Sequence, residues 1–166
     1  MTPYVSIIIP NYNHAPYLKQ RIESVLSQSY QNFEVILLDD RSTDNSWDIL
    51  QAYKGHEKVS HCLRNDRNSG SPFIQWQKGI EIAKGEWIWI AESDDWADES
   101  LLESLINLTR LYPQVPLVFC QSKTHFDDKI EIVRHFKSTA LYPFNDDLKR
   151  FKKYNLIFQT KLRYYG

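Results

Sequence analysis

Short β-branched apolar runs alternate with stretches of helical periodicity from residue 4 to residue 120, and this alternation most constrains what the chain can fold into. Tyr4 to Ile9 reads YVSIII and Phe33 to Leu38 reads FEVILL, runs suited to strands buried on both faces. Val59–Leu63, Trp87–Ala91 (WIWIA) and Leu117–Cys120 repeat the signal more weakly. Between them, Leu18, Ile22, Val25 and Leu26 recur at helical spacing, so a helix is predicted over 15–29. Trp47, Leu50 and Tyr53 mark a second helix behind the cap oxygens of Ser42-Thr43-Asp44, with Gly55 as its stop. Phe73, Trp76, Ile80 and Ala83 mark a third, opened by Ser71-Pro72 and ended by Gly85. A fourth is predicted over 98–111. Strands alternating with helices give an α/β fold with a mostly parallel central sheet and helices on both faces.

Pro10 is expected to end the first strand. After Ser122 the pattern changes: Asp127-Asp128 suits a hairpin turn, 138–147 reads as irregular, and 148–166 as helical. Two regions are therefore expected, an α/β domain over 1–122 and a different region over 123–166.

Composition narrows the function. The 166 residues are 42% hydrophobic and 14% aromatic, enough for a core, and the net charge of -1 gives no general attraction to nucleic acid. No apolar run approaches a membrane span, and the N-terminal residues carry no basic leader, so a cytoplasmic chain is expected. Cys62 and Cys120 are too few for a disulfide scaffold.

In an open α/β sheet, ligands bind beyond the carboxyl ends of the strands. Those ends read Pro10-Asn11-Tyr12-Asn13, Asp39-Asp40-Arg41-Ser42-Thr43-Asp44, Arg64 to Gly70, and Glu92-Ser93-Asp94-Asp95. The first has no glycine to admit a pyrophosphate, and no Walker loop exists, which disfavours nicotinamide dehydrogenases and P-loop kinases. Carboxylates holding a divalent cation are the other way to bind a diphosphate, and Asp94-Asp95 suit that use.

These residues resemble family 2 glycosyltransferases of the GT-A fold. VSIIIPNYN at 5–13, LSQSYQNFEVILLDDRSTD at 26–44, NSG at 68–70 and KGIEIAKGEWIWIAESDDW at 78–96 carry the resemblance, in the right order. It implies transfer of a sugar, with inversion, from a nucleotide-sugar donor, UDP-linked on the reading of Asp40. The acceptor would be a saccharide or a lipid-linked glycan of the cell surface. By the same resemblance Asp40 accepts from the ring N–H of the base, and Pro10, Tyr12 and Asn13 line the base and ribose. Asp94 holds ribose or supports the metal, and Asp95 ligates Mn²⁺ or Mg²⁺. Arg67 and Asn68 would close over the nucleotide from the third loop. Asp39 and Asp44 read as braces of their turn, Trp87, Trp89 and Trp96 as packing residues, and His14 and His125 as surface histidines.

The resemblance also implies a general base in an acceptor half, and no match to it is evident in 123–166. Asp127, Asp128, Asp146 and Asp147 qualify by type only. The chain thus reads as the donor half with its acceptor half truncated, and a binding module without turnover is the alternative reading. A nucleotidyltransferase is a third, weakened by the missing glycine-rich loop after the first strand. The tail from Leu148 to Gly166 holds six basic residues and no acid. As a helix, its apolar face of Leu148, Phe151, Asn155, Phe158 and Leu162 would lie on an anionic membrane surface or pair with a second copy in a homodimer; the other reading is a helix or strand that packs on the acceptor half.

Overall fold

The computed structural model describes residues 2–114, 116–120, 123–126, 129–132 and 155–159. Through residue 120 the elements follow the alternation: β1 (Val5–Asn11), α1 (Ala15–Leu26), β2 (Phe33–Asp39), α2 (Ser46–Tyr53), β3 (Val59–Arg64), α3 (Pro72–Ile82), β4 (Trp87–Ile90), α4 (Leu101–Leu111) and β5 (Leu117–Cys120). Three more strands follow, β6 (Lys123–Phe126), β7 (Lys129–Ile132) and β8 (Asn155–Gln159). The main sheet has the order β3-β2-β1-β4-β8-β5, and its ladders are parallel. β6 and β7 pair antiparallel as the expected hairpin, although Asp127 and Asp128 lie outside the described residues.

Side chains alternate across the sheet and so build two cores. Ile7, Ile9, Val35, Leu37, Trp87 and Trp89 face α1, α2 and α4 through Leu18, Ile22, Leu50, Leu102 and Ile106. Ile8, Ile36, Leu38, Ile88 and Ile90 face the other way, onto Ile80 and Trp76 of α3. Burial on both faces explains why β1 and β2 read as unbroken apolar runs rather than alternating ones.

Two expectations need correction. The segment 155–159 is a strand and not part of a helix: Asn155–Phe158 pairs with Trp87–Ile90, and Leu156–Gln159 pairs with Leu117–Cys120. The apolar run Leu156-Ile157-Phe158 supplies what an interior strand needs, whereas the helical spacing that joined Asn155 to Phe158 was coincidental. The membrane-facing helix over 148–166 therefore fails at its centre, and its other residues, like 138–147, lie outside the described residues.

Pro10, moreover, does not end β1. It sits inside the strand, in register with Leu38. Ile8 O accepts from Ala91 N on the β4 side, and residues two apart point the same way, so the missing Pro10 N–H also faces β4. The β1–β4 ladder has already stopped there, at Ile8↔Ile90, so no ladder bond is lost.

Candidate active site

β1 pairs with β2 through Asn11↔Asp39 but parts from β4 after Ile8. The chain runs from β1 outward through β2 to β3, then crosses to the other side of β1 for β4. The crevice at this switch point is where an open α/β sheet takes ligands. Four polar strand ends gather around it.

The loops after β1 and β2 are laced together. Asn13 Oδ1 accepts from Thr43 N at 2.7 Å and Thr43 Oγ1 at 3.3 Å, while Ser42 Oγ accepts from Asn13 N at 3.0 Å. Asn13 and Arg41 hold left-handed backbone, φ 56° and 63°, which costs a residue with a side chain energy and concentrates at functional turns. Tyr12, between the laced Asn11 and Asn13, is 45% exposed.

Asp39 and Asp40 face different tasks. Asp39 is a brace, as expected: it accepts from Asn11 Nδ2 and Ser42 N, both at 3.1 Å, and pairs with Arg64 Nε at 3.1 Å. Asp40, buried, ties down the loop after β3. Its Oδ1 accepts from Asn65 Nδ2 at 2.6 Å, Ser69 N at 2.9 Å and Gln75 Nε2 at 2.9 Å. Its Oδ2 accepts from Ser69 Oγ at 2.7 Å and Asn68 Nδ2 at 3.2 Å. Of the two third-loop residues, Asn68 meets Asp40, and both Arg67 and Asn68 are exposed. Asp44 is the brace expected of it, but for two helices: it accepts from Ala15 N at the start of α1 and from Ser46 N at the start of α2. Burial alone would raise the Asp44 carboxyl, and these bonds outweigh it and hold it below its ordinary range.

The acidic turn follows β4. Glu92 O accepts from Asp95 N at 3.2 Å and from Arg21 Nε at 2.7 Å. Arg21 Nη2 lies 3.8 Å from Asp95 Oδ2; the Arg21 side chain is fully buried and that of Asp95 is 13% exposed. Burial lowers the Arg21 guanidinium to about 10, with Asp95, Glu92 and Asp94 opposing the fall, so it is charged at neutral pH. Burial likewise pushes Glu92 up to about 7; Trp76 and Arg21 work against that rise, while Asp94 and Asp95 add to it.

Sequence reading missed Arg21. The signal was there: it falls three residues after Leu18 and four before Val25, on the apolar stripe of α1, where a charge requires a partner. It missed Gln75 too, buried on α3 with Nε2 on Asp40. His14 differs from the expected surface histidine, because its Nδ1 bonds to the buried Ser93 Oγ at 2.7 Å and joins the first loop to the acidic turn. Trp87 and Trp89 are core residues as read, whereas Trp96, beside the acidic pair, is 46% exposed. His125 lies in β6.

Among the described residues no three His, Cys, Asp or Glu side chains converge as a metal cage. Asp94 and Asp95 nevertheless offer hard oxygen donors, and they suit a cation whose remaining ligands are phosphate oxygens and water.

A family model described as "Glycosyl transferase family 2" matches residues 6–162. The chain belongs to this family. It is 39% identical over 105 residues to the glycosyltransferase GlyG of Streptococcus pneumoniae, covering 63% of this chain and 35% of that one. It is 38% identical over 104 residues to a putative teichuronic acid biosynthesis glycosyltransferase, TuaG, of Bacillus subtilis, covering 62% and 41%. The crystal structure of S. aureus TarS residues 1–349 in complex with UDP superposes with a TM-score of 0.64 at 25% identity, covering 71% of this family 2 chain and 35% of TarS. This likeness places the fold among the GT-A glycosyltransferases. The family 2 chain thus spans well under half the length of the curated relatives it matches. No helix among its described residues is long and apolar enough to cross a membrane.

Proposed function

We propose that this chain is the donor-binding half of an inverting glycosyltransferase of cell-surface polysaccharide synthesis. Its donor is a UDP-linked sugar held with Mn²⁺ or Mg²⁺, and its acceptor is a saccharide or a lipid-linked glycan. The observation that carries the reading is the strand order: Asp40 follows β2 and the Asp94-Asp95 turn follows β4, the two strands that flank β1. Relatives support it: TarS has been crystallised with UDP and with UDP-GlcNAc, and one relative, WfaP of Escherichia coli, is a UDP-Glc:α-D-GlcNAc-diphosphoundecaprenol β-1,3-glucosyltransferase.

In this reading Pro10, Tyr12 and Asn13 line the base and ribose, Asp94 holds the ribose or backs the metal, and Asp95 ligates the cation. A bound divalent ion neutralises charge on the leaving nucleoside diphosphate. Asp40 accepts the base N–H, but its carboxylate already takes five donors where about four lone-pair sites exist. The base therefore displaces one of them, and the longest bond, from Asn68, is the one that yields. The acceptor is deprotonated by a base from the acceptor side; Asp127, Asp128, Asp146 and Asp147 lie outside the described residues.

Calorimetric titration with UDP, GDP and dTDP, with and without Mn²⁺, tests the reading on the parent and on Asp95→Asn. We expect Mn²⁺-dependent UDP binding that the substitution abolishes. Absence of binding to any nucleotide overturns the donor site. UDP binding with neither donor hydrolysis nor transfer identifies a binding module, and pyrophosphate release from a nucleoside triphosphate a nucleotidyltransferase.

A further inference from the structure

One face of α1 and the turn just after it hold the segment from the end of β4 to the start of α4. Arg21 Nε donates to Glu92 O, and its Nη2 faces Asp95. Ser24 Oγ accepts from Ala97 N at 3.2 Å. Gln28 Nε2 donates to Asp98 O at 2.7 Å, and its Oε1 accepts from Leu102 N at 2.8 Å. Arg21 and Ser24, three residues apart, lie along one side of α1, and Gln28 follows just past its C-terminal end. The acidic turn is thereby mounted on a helix rather than left as a surface loop.

Arg21 is the member of this row that touches a carboxylate. Its guanidinium is fully buried, and its carbon lies 5.9 Å from the centroid of the Trp89 ring. A buried charge in that position is costly unless the groups around it compensate. The acidic turn supplies part of that compensation, through the Glu92 carbonyl and the Asp95 carboxylate, so cation and turn help to fix one another. We infer that Arg21 is a positioning residue for the cation site: from beneath the turn it holds the Glu92 carbonyl and the Asp95 carboxylate in the arrangement that receives a divalent ion. The inference rests on the donor-site reading above. A planar fork makes both contacts at once, and the single ammonium of a lysine cannot reproduce that geometry.

The test compares the parent with Arg21→Lys and Arg21→Met, measuring UDP affinity with and without Mn²⁺ and thermal unfolding of each. Loss of an outer-shell partner weakens metal binding about ten- to a hundredfold. We expect that loss in the Mn²⁺-dependent UDP affinity of both variants, with metal-free UDP affinity unchanged. Equal losses with and without Mn²⁺ assign Arg21 a purely structural role and overturn the inference. Unchanged Mn²⁺ dependence in a folded variant overturns it while leaving the donor site standing. A parent whose UDP binding ignores Mn²⁺ overturns the donor-site reading and this inference together. A measurement on the parent alone covers variants that do not fold. The Arg21 Nε–H resonance should shift on titrating Mg²⁺ into the UDP-bound protein, and a resonance that stays in place overturns the inference.

Discussion

At the scale of single residues, the crevice is defined by buried polar groups whose partners come from other loops. Asp40 gathers three segments on one carboxylate, Asn65 to Ser69, Gln75 and its own strand end. Asp40→Asn keeps the shape and exchanges one acceptor for a donor. With the amide nitrogen at Oδ2, Ser69 can turn its hydroxyl to accept, and Asn68 Nδ2 keeps the Asp40 main-chain oxygen at 3.0 Å. With the nitrogen at Oδ1, three donors lose their acceptor. In either arrangement the bonds that remain lose a charged acceptor, and a hydrogen bond to a charged group contributes about 1 kcal/mol more than a neutral one, so the better arrangement destabilises the fold by about 1–3 kcal/mol. Urea unfolding measures it, and an unchanged midpoint would show that the third loop is not held by Asp40. The acids at the strand ends were legible in the sequence because strand ends of an α/β sheet are where acids have work to do. Their internal partners were not, because nothing local relates Gln75 to Asp40 or Arg21 to Asp95. Those pairings exist only once α3 and α1 have packed on opposite faces of the sheet.

At the scale of elements, each helix and strand through β5 was legible from periodicity, with errors at the ends. Pro10 was read as a stop because a proline cannot donate, yet the β1–β4 ladder has ended beside it and the donor is not needed. The helix after the acidic turn begins at Leu101 rather than Asp98, because Asp98 turns back on itself, its Oδ1 accepting from Ser100 N and Oγ. Gly85, read as the stop of α3, has a second reason to be glycine. A Cβ there would stand 2.5 Å from Ser6 N and 2.6 Å from Val5 C, both backbone atoms of β1. The approach lets Gly85 N donate to Ser6 Oγ at 2.8 Å, and Ser6 Oγ in turn donates to Glu34 Oε1 at 2.6 Å. Gly85→Ala must push β4 away from β1 or tilt the α3–β4 turn. Overpacking of this kind costs about 1–3 kcal/mol, and the backbone contact puts Gly85→Ala at the upper end. Thermal unfolding of this variant against Gly55→Ala, where a Cβ meets nothing within 4 Å, isolates the effect. Equal loss at the two sites would deny the close approach.

At the scale of the whole molecule, the sheet is not completed in chain order. β8 lies between β4 and β5, although β5 precedes it in the sequence. The sequence concealed this, because register between distant segments leaves no local periodicity and three apolar residues fit a strand or a helix equally well. Ile157 pairs with Trp89 on one side and Val118 on the other. Ile157→Pro removes a ladder donor from an interior strand, at a cost of about 3 kcal/mol or more by analogy with a helix interior. Hydrogen exchange should then show protection falling in both β4 and β5, and retained protection in both would place β8 elsewhere. The same strand order has a consequence for how the protein is made. When Cys120 has been synthesised, β4 and β5 have no strand between them, and residues 121–154 must still be added before the one that joins them. At about 5–20 residues per second the ribosome takes about 2–7 seconds to supply them. For that interval the nascent chain carries two facing, unzipped hydrophobic borders, one of them next to the acidic turn. The outer edge of β4, the strand that leads into the acidic turn, is therefore covered late in translation, and an elongation pause within 121–154 prolongs the period in which those borders can capture a neighbouring chain.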